Sequence, residues 1–306
     1  MAILRQNWAK IFGVGLVLFA LADITLRFTG NVNYFPTVMM LGAFLVPTAF
    51  VAFFYQQETI FDRGAAHGSI LPTMLICALV GGLVGTLSAG VLEYTTLTSS
   101  SIWSTVWVGP IEESAKLLVP VGVYIVMRNR FRSELDGLLI GVAAGMAFAA
   151  LETMGYELVS LINSQGSFNA VDETILVRGL LSPAGHASWT ALITATLWRE
   201  RARTGKAFTP VVAAYFLLSA ALHSVWDIVS AAGNIAVIMP SYFVISAVSL
   251  ALLVRRLRES RRPLLAPETV TAPLLVPSPL MGESRPQFGI PYEVNESEGQ
   301  GEGDHR

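Results

Sequence analysis

Residues 103–127 of this 306-residue chain read WSTVWVGPIEESAKLLVPVGVYIVM, and this stretch decides the fold class. It is long enough to cross the hydrocarbon core of a membrane, which needs about 20 predominantly apolar residues. Similar runs recur along the chain, which is 53% hydrophobic and 14% charged, with a mean hydropathy of +0.57. A soluble domain carries roughly 25% charged residues, so most of this surface does not face water.

We therefore predict an all-α polytopic membrane protein with about eight transmembrane helices, because lipid leaves no hydrogen-bond partner for an open backbone. The predicted spans are 10–28, 35–55, 71–93, 103–127, 135–158, 179–198, 208–232 and 235–254. The transmembrane domain covers 1–258. The remaining 259–306 are rich in Pro, Glu, Gly and Ser, which predicts a disordered cytoplasmic tail.

Basic residues fall on alternate connecting segments, and this predicts the orientation. With a cytoplasmic N-terminus, the inner segments hold Arg5, Lys10, Arg63, Arg128, Arg130, Arg132, Arg199, Arg201, Arg203, Lys206 and the arginines after 254. The outer loops hold only Arg27 and Arg178, near span ends. The positive-inside rule then places both termini in the cytoplasm. The short apolar run that ends at Ala20-Leu21-Ala22 also has the pattern of a cleaved signal peptide, and this alternative stays open.

Small residues and caps give local predictions. Gly137, Gly141 and Gly145 recur every fourth residue, a spacing that lets helices approach closely in lipid. Residues 133–136, SELD, form a capping box at the start of the fifth span. The single cysteine, Cys77, excludes an intramolecular disulfide and a cysteine-based metal site.

Seven ionisable residues inside the predicted spans need an explanation, because each costs at least about 2.5–3.5 kcal/mol at mid-membrane. They are Glu112, Glu113, Lys116, Glu152, His186, His223 and Asp227. At a rise of 1.5 Å per residue, those on the four helices lie roughly 9–15 Å below the outer boundary. A shared depth predicts one polar active-site cluster in the outer half of the bilayer. Asp23 and Arg27, spaced i,i+4 near a span end, are instead expected to form a structural ion pair.

Spacing within the helices supports one cluster. Lys116 follows Glu112 and Glu113 by four and three residues, and Asp227 follows His223 by four, so each set shares a helix face. Ser182-Pro183 predicts a helix start with His186 in its first turn. Buried structural ion pairs remain the alternative for each pair taken alone.

Carboxylates and imidazoles in a dry pocket suit the activation of water. A buried glutamate can act as general base and then general acid, and histidine with glutamate can hold a zinc ion that keeps an open site for water. The reaction predicted from these residues is hydrolysis of a bond presented within the membrane.

Four motifs, one in each of four consecutive spans, carry a family resemblance. Residues 112–116 read EESAK, residues 148–152 read FAALE, Gly185-His186 lies in the next span, and residues 223–227 read HSVWD. This order resembles the PrsW-like intramembrane proteases, relatives of the CAAX-processing and bacteriocin-processing membrane peptidases, over about 100–255. The resemblance implies an endopeptidase in a bacterial cell membrane. It also implies a membrane-anchored protein substrate, for which an anti-sigma factor is the family precedent, and no nucleic-acid partner.

The resemblance also implies roles. Glu112 would be the water-activating base, Glu113 would support it, and His223 with Asp227 would bind the substrate carbonyl or orient a ligand. Lys116, the last residue of the EESAK motif, is a further candidate catalytic residue. Glu152 stands where the CAAX-processing relatives have His, so His186 is expected to take that role. If a metal is bound, its expected ligands are Glu113, Glu152, His186 and His223. A zinc-dependent and a metal-free glutamate mechanism both remain open, as do a proton-coupled transporter and a non-catalytic membrane scaffold or sensor.

Overall fold

The computed structural model describes residues 6–60, 69–97, 101–231 and 233–261, without the side chains of residues 58–60 and 182. Within these residues there are ten α-helices and no strand. The helices are α1 (Asn7–Thr29), α2 (Phe35–Ile60), α3 (Leu71–Ile76), α4 (Gly82–Thr96), α5 (Ile102–Lys116), α6 (Leu118–Met127), α7 (Glu134–Asn163), α8 (Phe168–Thr204), α9 (Pro210–Ser230) and α10 (Ile235–Ser260). A 3₁₀ turn, Val32–Tyr34, precedes α2, and a π-helical turn, Cys77–Gly81, joins α3 to α4. The predicted all-α class is confirmed.

Six helical segments among the described residues are long and apolar enough to cross a membrane, by length and composition. They are Asn7–Thr29, Val32–Gln57, Leu71–Thr96, Glu134–Asn163, Pro210–Ser230 and Ile235–Ser260. The other two predicted spans, 103–127 and 179–198, coincide with the pair α5–α6 and with part of α8. The number of spans, eight, and their orientation therefore stay predictions. Arg5, Arg63 and residues 262–306 of the predicted tail lie outside the described residues.

Helix α7 is the centre of the bundle, and small residues let α8 lie directly against it. A Cβ atom on Gly137 would lie 2.7 Å from the carbonyl oxygen of Thr194, and one on Gly141 would lie 2.6 Å from Ala191 Cα. A Cβ on Gly145 would collide with the carbonyl oxygen of His186. The predicted glycine contact is therefore present. The predicted capping box is also present, since Ser133 and Asp136 each accept the other's backbone N–H through their side chains.

Prolines explain how α5 ends and how it meets α9. Pro120 has no N–H for the carbonyl of Lys116, four residues earlier, and the helix breaks there between α5 and α6. Pro110, inside α5, leaves the carbonyl of Val106 free in the same way, and Ser224 of α9 donates a 2.7 Å hydrogen bond to it. Both prolines thus lie one turn from the EESAK motif.

The predicted helix start at Ser182-Pro183 is wrong. Helix α8 begins at Phe168, after Ser167 accepts the N–H of Ala170 at its N-cap, and continues through Pro183 to Thr204. A proline within a membrane helix is tolerated when neighbouring elements satisfy the freed backbone groups. His186 therefore lies in the middle of a helix, with two further turns between it and Arg178.

The predicted structural pair at the end of α1 is confirmed. Arg27 Nε lies 3.0 Å from Asp23 Oδ2, and its guanidinium also pairs with Asp172 of α8. Leu26, 1% exposed, packs in a small apolar core with residues of α2 and α8. Helix α1 is thus attached to the bundle through α2 and α8, away from the seven ionisable residues.

Candidate active site

The seven predicted site residues come together in one place, here called the polar cluster: Glu112, Glu113, Lys116, Glu152, His186, His223 and Asp227. Lys116 Nζ is its centre. It lies 2.8 Å from Glu113 Oε1 and 3.2 Å from Glu112 Oε2. It also lies 2.8 Å from His186 Nδ1 and 3.5 Å from His223 Nδ1. One buried ammonium therefore contacts residues of α5, α8 and α9.

Glu113 lies on the side of the polar cluster that is buried in the helix bundle. Its side chain is fully buried, and its Oε1 lies 2.9 Å from His223 Nδ1 as well as beside Lys116. Thr190 donates a 3.4 Å hydrogen bond to the other carboxylate oxygen. With both oxygens engaged and no contact with the cavity described below, Glu113 is suited to orient its neighbours.

Glu112 lies on the opposite side of the polar cluster, where it lines the cavity described below. Its Oε2 lies 3.3 Å from His223 Nε2, and Asp227 Oδ2 lies 3.7 Å from the same nitrogen. The His223 ring therefore lies between two carboxylates of α5, one at each nitrogen. The α5–α9 contact that sets these distances is close, because a Cβ on Gly109 would lie 2.6 Å from the carbonyl oxygen of Ala220.

Glu152 and His186 form the part of the polar cluster built by α7 and α8. Glu152 Oε2 lies 3.1 Å from His186 Nε2, and Glu152 Oε1 lies 2.8 Å from Nη2 of Arg178. The sequence offered Glu152 no neutralising partner in its own span. The structure supplies one from α8.

Aromatic rings enclose both imidazoles. The Trp189 ring stacks on His223 with centroids 4.4 Å apart, and Phe148 lies parallel to His186 at 5.7 Å. Trp189 is held in turn by a 3.0 Å hydrogen bond from its Nε1 to Ser249 of α10. Lys116 Nζ lies 4.3 Å from the Phe148 ring centroid, in the range of a cation–π contact. These rings fix the imidazole planes and keep water away from one side of the polar cluster.

A cavity of about 700 Å³ adjoins the polar cluster on the side away from these rings. Glu112, Asp227 and Arg178 lie in its wall, which is completed by residues of α4, α5, α7, α8, α9 and α10. Its lining includes Asn163 at the end of α7 and Ile235 at the start of α10, so it extends to the end of the bundle where α7 ends and α10 begins. The charge pattern of the sequence predicts that this end faces the outside. The volume is in the range of cavities that bind ligands.

The residues present fit a divalent metal ion. Glu112, His186 and His223 each offer one ligand atom, and these atoms lie within 4.8 Å of one another. Two imidazoles and one carboxylate leave a position for water, as in catalytic zinc sites. Glu112 Oε2 and Asp227 Oδ2 are buried with no hydrogen bond among the described residues.

Charge supports the same conclusion. Within the polar cluster and its neighbour Arg178, four carboxylates accompany two cations: Glu112, Glu113, Glu152 and Asp227 with Lys116 and Arg178. A buried surplus of two negative charges is costly unless a dication or two protons compensate it. The group differs from the predicted ligand set, which had Glu113 and Glu152 in place of Glu112. That set stays a prediction, but both residues are engaged by other partners.

Arg178 and Trp189 are the contributors that sequence reasoning missed. Arg178 precedes His186 by eight residues, which places the two on one face of a continuous helix. A helix that starts at Pro183 would not contain Arg178, so the predicted helix start does not show that Arg178 and His186 share a face. Trp189 follows His186 by three residues and carries the same helical signal.

A family model described as PrsW family intramembrane metalloprotease matches residues 70–253 of the chain. The matched segment runs from α3 into α10 and contains every residue of the polar cluster. No curated protein and no solved structure gave a significant match.

Proposed function

Since the chain belongs to the PrsW family of intramembrane metalloproteases, we propose that it is an endopeptidase that cuts a membrane-anchored protein at the polar cluster. Its substrate is a single-span protein, for example one resembling an anti-sigma factor, that presents an extended segment to the cavity. The enzyme resides in a bacterial cell membrane with both termini in the cytoplasm.

One observation carries this proposal: Glu112 joins the cavity to the buried histidines and lysine. It lies in the cavity wall, and its Oε2 is 3.2 Å from Lys116 Nζ and 3.3 Å from His223 Nε2. A carboxylate that touches both solvent and a buried proton network can take a proton from water and return it. Neither Glu113 nor His186 lines that cavity.

The proposed reaction is hydrolysis of a peptide bond. Glu112 takes a proton from a cavity water as the water oxygen attacks the carbonyl carbon of the substrate. Lys116 and His223 hold the Glu112 carboxylate in place, and Glu113 fixes the His223 ring from its Nδ1 side. Asp227, which lines the cavity, lies 3.7 Å from His223 Nε2 and constrains the same ring from that side. When the carbon–nitrogen bond breaks, Glu112 gives its proton to the departing amine nitrogen.

If the enzyme uses a zinc ion, Glu112, His186 and His223 would hold it, and Glu112 would then act as a ligand instead of as the base described above. A bound zinc ion supplies Lewis-acid polarisation of the carbonyl and lowers the pKa of its water. Lys116 and Arg178 would remain as the cations that balance Glu113 and Glu152.

Cleavage in cells tests the proposal. Tagged single-span proteins are co-expressed with the wild type, with Glu112→Gln and with the control Glu157→Gln. Glu157 is a fully buried carboxylate of α7 that has no hydrogen bond among the described residues, so it matches Glu112 in burial. We expect a fragment with wild type and Glu157→Gln and none with Glu112→Gln. An equal amount of fragment with Glu112→Gln would show that another residue is the base.

A further inference from the structure

Among the described residues, Arg178 is a cation beside the polar cluster to which the proposed mechanism gives no role except charge balance. It lies on α8, and its side chain is 11% exposed. Its Nη2 lies 2.8 Å from Glu152 Oε1, and its guanidinium carbon lies 3.7 Å from the Tyr156 ring centroid. Tyr156 and Glu152 are both on α7, four residues apart, so α7 provides a ring and a carboxylate to one guanidinium.

The carboxylate that Arg178 holds is the one that faces His186. Glu152 Oε2 lies 3.1 Å from His186 Nε2. Both atoms are buried and have no well-formed hydrogen bond to any described residue, so the interaction between the two side chains is this ion-pair contact. Glu152 of α7 therefore bridges two residues of α8, since one of its oxygens contacts Arg178 and the other contacts His186.

The other nitrogen of His186 determines where the ring proton lies. Lys116 Nζ is 2.8 Å from His186 Nδ1. An ammonium has only donors, so Nδ1 must accept, and the proton of the neutral ring then lies on Nε2, facing Glu152. A carboxylate behind a histidine fixes both the tautomer and the orientation of the ring in this way.

We propose that Arg178 is a positioning residue: it fixes the Glu152 carboxylate, and Glu152 in turn holds the His186 ring with its proton on Nε2 and its Nδ1 lone pair directed at Lys116 and the reacting site. The claim that Arg178 affects cleavage rests on the proposed function. The claim that Arg178 fixes the tautomer and orientation of the His186 ring does not rest on it.

The chemistry of the guanidinium explains why this position holds arginine. A planar guanidinium can stack on Tyr156 while one edge meets a carboxylate, whereas an ammonium is a point charge on a flexible stem. Lysine here should therefore restore the charge beside Glu152 without the fixed orientation. Methionine would remove both and leave the Glu152 carboxylate free to rotate away from His186.

Nitrogen NMR of the histidine rings tests the inference directly. The chain has only four histidines, so ¹⁵N-histidine labelling gives few signals, and His186→Ala assigns the relevant one. We expect wild-type His186 to show the Nε2–H tautomer. Arg178→Met should show a mixture of tautomers, because a ring that Glu152 no longer holds can turn away from Lys116. Arg178→Lys should keep mainly the wild-type tautomer. Arg27→Met is the control, because Arg27 pairs with Asp23 and Asp172 at a distance from the polar cluster.

Kinetics supply the second readout. Arg178→Met should lower kcat about 10- to 100-fold, as removal of an orienting partner commonly does, with little change in KM. Arg178→Lys should recover part of that loss. The double variant Glu152→Gln/Arg178→Met should have the same kcat as Glu152→Gln alone, because both substitutions remove one interaction.

An unchanged His186 tautomer together with unchanged kcat in Arg178→Met would overturn the inference. If that variant does not fold, Arg178→Lys decides. It lacks the planar guanidinium and its stack on Tyr156, so full wild-type kcat in Arg178→Lys also overturns the inference. If Glu112→Gln cleaves normally, the proposed function fails, while the NMR comparison still tests the positioning role of Arg178.

Discussion

Ser224 donates a 2.7 Å hydrogen bond to the backbone carbonyl of Val106, and this bond joins α9 to α5 one turn from the polar cluster. The carbonyl is available because Pro110, four residues later, has no N–H to offer it. The residue before Ser224 is His223, so the same contact sets how far His223 lies from Glu112.

Removing that bond should destabilise the protein. Ser224→Ala leaves the half-buried Val106 carbonyl unsatisfied, which costs up to about 1–3 kcal/mol in the free energy of unfolding. Ser114→Ala is the control, since Ser114 is exposed and bonds only within its own helix. Unfolding in mixed micelles measures both variants. An equal free energy of unfolding for the two variants would mean that the bond from Ser224 to Val106 does not stabilise the protein.

Close packing of α7 and α8 should control activity. In Gly145→Ala the new methyl group would collide with the carbonyl of His186, and the helices must move apart. A displacement near 1 Å costs roughly 10²-fold in rate, so we expect a loss of about that size in kcat. Gly155→Ala tests the same change on the same helix, where no atom lies within 4 Å. If both variants retain wild-type kcat, the position of His186 does not depend on this contact.

Lys116 should be needed for stability as well as chemistry. Lys116→Met leaves Glu113, fully buried, without its ammonium partner, and loss of one partner from a buried ion pair costs about 3–5 kcal/mol. The expected result is a marked drop in the midpoint of thermal unfolding in detergent. Lys206→Met, at an exposed position, should change it little. A Lys116→Met protein as stable as wild type would contradict the central role of this ammonium.

Metal content separates the two mechanisms that the site permits. If the enzyme uses zinc, purified wild type should hold about one ion per chain, and His186→Ala and His223→Ala should lose it. A chelator should abolish cleavage, and zinc should restore it. Glu157→Gln should keep its ion. Full activity in protein stripped of zinc would instead establish the metal-free glutamate route.

The sequence predicted the parts of this structure that the membrane dictates. Long apolar runs must be helices, the glycines of α7 must meet another helix, and ionisable residues at a shared depth must meet each other. These predictions needed only hydropathy, residue spacing and the cost of buried charge.

The parts that failed depend on contacts between helices. Pro183 suggested a helix start, but neighbouring helices allow α8 to continue through it. A helix that starts at Pro183 does not contain Arg178, so the sequence pattern hides that Arg178 and His186 share one face of α8. The sequence also could not tell which of Glu112 and Glu113 faces the cavity, because adjacent residues differ by about 100° around a helix and only the packing of α5 against α9 selects between them. The predicted ligand set, which contains Glu113, stays a prediction.

The most direct test of the account uses purified protein, a cleaved single-span substrate in proteoliposomes, and water enriched in ¹⁸O. We predict that wild type produces a new C-terminal carboxyl group carrying one ¹⁸O atom, seen by mass spectrometry as a gain of about 2 Da. Glu112→Gln should produce no such fragment, and Glu157→Gln should produce it at the wild-type rate. A labelled fragment from Glu112→Gln at that same rate would contradict the claim that Glu112 activates the water.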